Sequence, residues 1–285
     1  MEKYVDLHIH TCCSDGSDTA EEVLKLAVTN SVSILSITDH NTLEAYSERL
    51  FCLSEQMGIV LVPGVELDVQ FKDHQYHLLG YGIDVNNNRL REVCMHNSAV
   101  QEAYNVEVLR CMEKDHVGVS EEEYNQYVIP NGRGGWKLLN YLLDIGITTY
   151  LLEGIKYYKQ YGFDPSRINF VSFEEAVEVI KDAGGVSVLA HPAEQIPYNQ
   201  YDDNHDIFME KISDILLEKV EGIECIHPLH DFELQRKLVL LCNEKNLYVS
   251  GGTDYHGSFF NKQKQTIGGQ FIKEDVVRKL IDKFC

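Results

Sequence analysis

Two histidines stand one residue apart near the start of the sequence, and their spacing suits a metal site. His8 and His10 flank Ile9 in an apolar run, Tyr4–Ile9, that predicts a β-strand. On a strand, residues two apart point to the same face, so both imidazoles can reach one ion. Asp15 follows shortly after His10. Two solvent-exposed histidines would show the same spacing, so the interpretation depends on what lies elsewhere in the chain.

The same residue types recur where other predicted strands end. Asp39 and His40 follow Ser33–Thr38, and Glu66 follows Ile59–Val65. Parallel strands of α/β folds bring their C-terminal ends to one edge, and active-site residues gather there. We therefore expect a site for more than one metal ion, formed by His8, His10, Asp15, His40, Glu66, His77 inside the predicted strand Tyr76–Tyr81, His191 after Val186–Ala190, and Asp254 and His256 after Leu247–Ser250.

The elements that position these residues alternate between strands and amphipathic helices. The alternation predicts an α/β fold with a mainly parallel sheet covered by helices, and about seven strand signals favour a closed or nearly closed barrel over an open sheet. Between residues 87 and 170 the pattern is helical, without a convincing strand. We therefore divide the chain into a barrel, residues 1–86 and 171–285, and an inserted helical domain, residues 87–170.

The composition narrows the classes of function. The 285 residues include 25 Lys and Arg against 45 Asp and Glu, a net charge of −20. So acidic a chain repels long polyanions, which argues against binding long nucleic acid or an anionic membrane. No window reaches the roughly 18 consecutive apolar residues that a membrane helix needs, and no basic, then apolar leader is present, so we expect a cytoplasmic protein. The 8 cysteines include no CxxC pair and are expected as free thiols.

Six motifs occur in an order that resembles the PHP (polymerase and histidinol phosphatase) metallophosphoesterases: DLHIHTCCSDG, ITDHNT, GVE, HLLGY, LAHP and GGTDYHG. Within that family the chain most resembles the branch acting on nucleoside monophosphates and 3′,5′-bisphosphates. The resemblance implies a distorted seven-stranded (β/α)7 TIM-like barrel that holds three metal ions, with a helical insertion beside the site. It assigns His8, His10, Glu66 and Asp254 to the first ion, Glu66, His77 and His191 to the second, and Asp15, His40 and His256 to the third.

Two substrate contacts are also assigned by the resemblance. His230 resembles a barrel histidine that faces the substrate phosphate, where it would donate a hydrogen bond or protonate the leaving oxygen, and His227 is a second candidate. Arg133 lies where the family has a Gly-Arg-Pro-His-like stretch whose arginine clamps phosphate, although Gly134-Gly135 replaces the Pro-His part. The alternative for each is a plain loop residue.

Other residues near these motifs allow two interpretations. Asp39 either orients an imidazole or caps a helix that begins near Leu43. The aromatic residues of the insertion either stack a base or pack the helical core: Trp136, Tyr150, Tyr157 and Tyr158.

The ligand chemistry agrees with the phosphoric monoester hydrolase that the resemblance implies. All nine predicted ligands are nitrogen or oxygen donors without a thiolate, which suits Mn²⁺, Fe²⁺ or Zn²⁺. Three divalent ions and three carboxylates leave a centre of about +3, which attracts a phosphate dianion and activates water for attack on phosphorus.

We therefore expect an enzyme that acts on a small-molecule phosphate ester, a nucleoside 5′-monophosphate or 3′,5′-bisphosphate. The alternatives are a histidinol-phosphate phosphatase, a 3′–5′ nuclease on short oligonucleotides, and a non-catalytic module that binds metal for stability. The sequence does not indicate the oligomeric state.

Overall fold

Seven strands form one sheet in which the spatial order follows the chain order. The structure, a computed structural model, describes residues 3–72, 74–161, 168–196, 205–216, 220–260 and 266–284. The strands are β1 (Tyr4–Asp6), β2 (Val32–Ile37), β3 (Val60–Phe71), β4 (His74–Tyr81), β5 (Val186–Leu189), β6 (Gly222–Ile226) and β7 (Tyr248–Gly251). β4 is antiparallel to both neighbours, and all other pairs are parallel. The predicted α/β class and mainly parallel sheet are confirmed.

The two ends of the sheet approach each other without forming a strand ladder. β1 and β7, both fully described, are not paired as strands. At and beyond their ends, the amide of Leu7 donates to the carbonyl of Gly251 at 3.2 Å, and the amide of His10 donates to the carbonyl of Tyr255 at 2.8 Å. The sheet is therefore not closed by a regular ladder.

Eleven α-helices are present in the described part of the chain. They are α1 (Ala20–Thr29), α2 (Glu48–Gln56), α3 (Asn88–Lys114), α4 (Glu121–Gln126), α5 (Lys137–Asp144), α6 (Ile155–Gln160), α7 (Phe173–Asp182), α8 (Pro192–Gln195), α9 (His205–Leu216), α10 (Phe232–Lys245) and α11 (Glu274–Ile281). Local capping sets several starts. At α1, Thr19 and Glu22 form a reciprocal capping box. α2 begins later than predicted because Ser47 accepts from the amide of Leu50.

Helices α3 to α6 fall within the predicted insertion and have an apolar cluster of their own. Tyr104, Leu109, Tyr124 and Leu138 are buried in it, together with other residues of these helices. This cluster is separate from the one between the sheet and α7 and α10. Residues 162–167 of the predicted insertion lie outside the described part, and the domain boundaries stay predictions.

Two further properties bear on the expectations from composition. Of the helices described, none is both long enough and apolar enough to cross a membrane. The seven described cysteines are free thiols, and the sulfurs of Cys225 and Cys242 lie 3.6 Å apart in the core.

Candidate metal centre

All nine predicted ligands converge at one edge of the sheet. Four of them follow the ends of β1 and β2, namely His8, His10, Asp15 and His40, and the remaining ligands lie in or after β3, β4, β5 and β7. β4 runs antiparallel to β3, and His77 pairs directly with Asp68. Asp68 lies two residues after Glu66 and points to the same face of the sheet, so His77 faces the site as well. Strand register therefore explains how a residue in the middle of β4 joins ligands from the ends of parallel strands.

The first group of ligands surrounds a common point. Nε2 of His8 lies 3.1 Å from Nε2 of His10, 3.1 Å from Oε2 of Glu66 and 3.3 Å from Oδ1 of Asp254. Nε2 of His10 lies 3.1 Å from both of those carboxylate oxygens. Four atoms that carry lone pairs repel one another when packed this closely, unless a proton or a metal ion lies between them. Such a donor set suits a divalent cation.

Glu66 joins the first group to a second. Its other oxygen, Oε1, lies 2.8 Å from Nε2 of His191 and 3.1 Å from Nδ1 of His77, and these two nitrogens are 3.4 Å apart. Glu66 is fully buried. One carboxylate thus presents one oxygen to each group, which is the geometry of a bridging ligand.

The third group forms around Asp15. Its Oδ1 lies 3.3 Å from Nε2 of His256, and its Oδ2 lies 3.8 Å from Nε2 of His40. His10 stacks on His256 with ring centroids 4.1 Å apart, and its Nδ1 lies 3.3 Å from Oδ1 of Asp15. His40 also lies 3.4 Å from Glu66, so the three groups are continuous.

The electrostatics of the site favour ionised carboxylates beside imidazolium ions when protons are the only cations present. Burial alone would raise the pKa of Glu66, but the imidazoles of His40 and His8 hold it well below its usual value. Burial alone would lower the pKa of His8, but Glu224 and Glu66 raise it well above its usual value. The pKa of Asp15 is held low by His256 and His40 against the effect of burial.

Two buried carboxylates that sequence reasoning missed form hydrogen bonds with the predicted ligands on the side away from the site. Oε1 of Glu224 lies 3.0 Å from Nδ1 of His8, and Oε2 accepts from the amide of His191 at 2.8 Å. Oδ1 of Asp68 lies 3.1 Å from Nε2 of His77. Partners of this kind fix the ring orientation of metal-binding histidines. The signal was present in the sequence, since Glu224 interrupts the apolar strand β6 and Asp68 lies two residues after Glu66.

Asp39 has a role that neither interpretation anticipated. Its carboxylate accepts from the amide and hydroxyl of Thr11, both at 2.7 Å, and from the hydroxyl of Ser14. It therefore holds the loop that carries Asp15 rather than an imidazole or a helix start.

A cavity of about 970 Å³ lies over the predicted metal ligands and is lined on its other side by the insertion. Trp136, Lys137 and Tyr150 line that wall. Tyr157 and Tyr158 instead lie buried in the apolar cluster of the insertion. Trp136 also packs against that cluster, so the packing interpretation applies to Trp136, Tyr157 and Tyr158, and base stacking stays a prediction.

The structure does not bring Arg133 and His230 to this cavity. Nη2 of Arg133 donates to Asp144 at 2.5 Å and to the hydroxyl of Tyr127 at 2.8 Å. His230 is buried, with Nδ1 3.0 Å from the carbonyl of Cys225 and Nε2 accepting from the amide of Ala193 at 3.5 Å. Both side chains are engaged by the protein itself. His227 lines the cavity instead, with Nε2 3.5 Å from Oδ2 of Asp254.

Comparison with known families identifies the PHP domain over residues 6–131. The chain thus contains a PHP domain in its first part. Among curated relatives, it is 28% identical to a phosphoribosyl 1,2-cyclic phosphate 1,2-diphosphodiesterase from Eggerthella lenta, over 89% of this chain and 94% of the relative. It is 26% identical to a 3′,5′-nucleoside bisphosphate phosphatase from Chromobacterium violaceum, over 88% and 87%. It is 25% identical to a 5′-3′ exoribonuclease from Salmonella typhimurium, over 88% and 84%.

Two solved structures share the fold of this PHP protein. A protein from Bifidobacterium adolescentis described as a metal-dependent phosphoesterase superposes with a TM-score of 0.76 at 20% identity, covering 99% of this chain and 97% of the other. An amidohydrolase from Chromobacterium violaceum, determined with bound sulfate and no metal, gives a TM-score of 0.73 at 23% identity, covering 98% and 96%. The predicted resemblance to the PHP family is confirmed, and the protein is a metal-dependent phosphoesterase.

Proposed function

We propose that the nine ligands hold three divalent ions, as the resemblance assigns them. The donor atoms converge into four overlapping groups, in which His10, His40, Glu66 and Asp254 each occur twice, and this convergence supports the proposal. The nitrogen and oxygen donors suit Mn²⁺, Fe²⁺ or Zn²⁺. Ions bound there would supply Lewis-acid activation of water and neutralise charge on phosphate oxygens.

We further propose hydrolysis of phosphomonoesters of small molecules, nucleoside 5′-monophosphates or 3′,5′-bisphosphates in particular. The observation that carries this proposal is a cavity of about 970 Å³ over the converging ligands. That volume is typical of sites for small molecules. The relative named as a 3′,5′-nucleoside bisphosphate phosphatase supports the substrate class.

Within this cavity, His227 suits the role first assigned to His230. Its Nε2 faces Asp254, one of the proposed ligands, and the ring is buried beside His191 at a centroid distance of 5.3 Å. There it would bind the phosphate or donate a proton to the leaving oxygen. His230 and Arg133 would then act indirectly, through the packing of the loops that surround the cavity.

The test is release of inorganic phosphate by the purified protein with added Mn²⁺. The panel comprises adenosine 5′-monophosphate, adenosine 3′,5′-bisphosphate, histidinol phosphate and a cyclic ribose phosphate. We expect release from the nucleotides and its loss in Glu66→Gln, which keeps the shape of the side chain but removes its charge. Release from histidinol phosphate alone would replace the proposed substrate, and no release from any compound would favour a non-catalytic module.

A nuclease acting on short RNA is the second candidate, because relatives from three organisms are named as 5′-3′ exoribonucleases. Their direction is opposite to that of the 3′–5′ nuclease considered from the sequence. The net charge of −20 disfavours long RNA but not a few nucleotides. An oligoribonucleotide labelled at one end, digested with Mn²⁺, would reveal both the activity and its direction.

The site also supports a nearly closed barrel. The main-chain bonds between residues 7–10 and 251–255 bring the ligands after β1 and β7 together. We propose that the sheet curls into a distorted barrel whose last seam is formed by these bonds rather than by a ladder.

A further inference from the structure

The cavity wall opposite the metal ligands has a single formal positive charge among the described residues. Five carboxylates line the cavity: Asp15, Asp68, Glu102, Glu194 and Asp254. Lys137 is the one lysine or arginine in that lining. It is the first residue of α5 in the insertion, so it lies on a different element from every proposed metal ligand.

Lys137 is held in place by protein partners that do not occupy all three donors of its ammonium group. Nζ lies 3.5 Å from Oε1 of Glu102 and 4.4 Å from the ring centre of Tyr124. The other oxygen of Glu102 accepts from the hydroxyl of Tyr124 at 2.9 Å and from the amide of Asn105 at 3.1 Å, which anchors the carboxylate. An ammonium group has three donors, and the side chain of Lys137 is 26% exposed, so donors are left for a ligand.

The surroundings of Lys137 suit an organic ligand between two anionic groups. Trp136 and Tyr150 line the same wall, and Tyr150 is 60% exposed, so an aromatic face is open to the cavity. The side-chain amide of Gln101 also lines it and can hydrogen-bond a sugar or a base. A phosphate among five carboxylates would be repelled everywhere except near bound metal ions and near Lys137.

We propose that Lys137 binds the second, non-reacting phosphate of a nucleoside bisphosphate whose first phosphate lies on the metal ligands. This inference rests on the proposed function and names the residue that selects bisphosphates over monophosphates. Lys137 acts as a point charge on the substrate. Its contribution therefore depends on whether the substrate has a second phosphate.

The experiment compares kcat/KM of the Mn²⁺-loaded enzyme for adenosine 3′,5′-bisphosphate and for adenosine 5′-monophosphate. Lys137→Met keeps the length and packing of the side chain but removes the charge. We expect it to lower kcat/KM for the bisphosphate at least tenfold, mainly through KM, and that for the monophosphate less than threefold. Lys137→Arg should retain the preference. Lys156→Met is the matched control, since Lys156 is also in the insertion but pairs with Glu153 outside the cavity lining.

The outcomes separate this inference from the proposed function. If wild-type enzyme hydrolyses either nucleotide but Lys137→Met changes both substrates equally, or neither, the role of Lys137 is wrong while the phosphatase stands. If wild-type enzyme hydrolyses nothing, the proposed function fails, and calorimetric binding of adenosine 3′,5′-bisphosphate still tests Lys137. In that case, unchanged affinity in Lys137→Met would overturn the inference, and a tenfold loss absent from Lys156→Met would support it.

Discussion

Glu224 holds the imidazole of His8 through a hydrogen bond of 3.0 Å between Oε1 and Nδ1, and neither side chain has any solvent exposure. The bond directs Nε2 of His8 toward Glu66 and Asp254. Burial would raise the pKa of Glu224, but the charge of His8 lowers it to about 2, so the carboxylate is ionised at neutral pH. A buried anion behind the ligand makes His8 a better donor to a cation.

Glu224→Gln is expected to weaken metal binding by about 10–100-fold, because the amide keeps the shape but cannot supply the negative charge. Competition with a fluorescent chelator would measure the affinity for Zn²⁺ or Mn²⁺. Glu174→Gln, on the exposed face of α7, is the matched control. Equal affinities in the two variants would show that Glu224 is only a packing residue.

Glu66→Ala is expected to be more damaging than the loss of any other single ligand. Its two oxygens lie against separate groups of imidazoles, so its removal should cost two ions and reduce activity to below about 1% of wild type. Metal analysis should find a lower content in Glu66→Ala than in Asp254→Ala. Full occupancy in Glu66→Ala would contradict the bridging role.

Metal loading at pH 7 is expected to release protons. Burial lowers the pKa of His8, His10 and His77, but adjacent carboxylates outweigh it and raise all three pKa values well above the usual range. These imidazoles are therefore protonated before metal binds and must be neutral afterwards. Titration with Zn²⁺ in weak buffer containing a pH indicator should detect release of more than one proton per molecule. Release of less than one proton would refute this charge assignment.

The pKa of His230 predicts a stability effect in acid. Burial, assisted by the nearby His227, lowers the pKa of His230 from 6.5 to about 4. The folded state thus prefers the neutral ring. The stability that this provides is fully present above pH 6.5 and is lost progressively as the pH falls from 6.5 through 4. Between pH 7.5 and pH 5 the free energy of unfolding should fall by about 2 kcal/mol on this account.

This loss should be absent from His230→Gln and present in His74→Gln, since His74 is exposed on β4. Urea unfolding at the two pH values would measure it. The same pH dependence in both variants would show that His230 does not carry the effect.

Gly134→Ala is expected to disturb the loop that carries Asp15. A Cβ at position 134 would lie 2.0 Å from the carbonyl oxygen of Gly16 and 2.8 Å from Cα of Cys12. These are backbone atoms, so they can move aside only if the loop that carries Asp15 moves with them. We therefore expect kcat/KM to fall at least tenfold. Gly132→Ala is the control, because its Cβ meets nothing within 4 Å and adds only backbone strain of about 1 kcal/mol at its φ of +75°. Similar activity in the two variants would argue against this contact.

The position of each metal ligand was predictable because it depends on local pattern. Strand ends can be read from apolar runs, and parallel strands bring those ends to one edge. His8, His40 and His191 were located in this way. His77 was harder, because its orientation follows from the antiparallel register of β4 with β3.

The substrate contacts were not predictable in the same way. The directions of Arg133 and His230 depend on partners distant in sequence or on loop geometry, such as Asp144 for Arg133 and the amide of Ala193 for His230. Lys137 carries no motif at all. Its place in the cavity follows from how the insertion packs, which no short pattern encodes.

The contact between the insertion and the loop of residues 12–16 limits how such an enzyme can be re-engineered. The amide of Gly135 donates to the carbonyl of Ser14 at 2.8 Å, and Gly134 lies directly on the backbone of Gly16. An insertion grafted from another enzyme would also need residues without a side chain at these two positions. The insertion therefore cannot be exchanged independently of the site, because replacing it to change specificity would also shift Asp15, a proposed metal ligand.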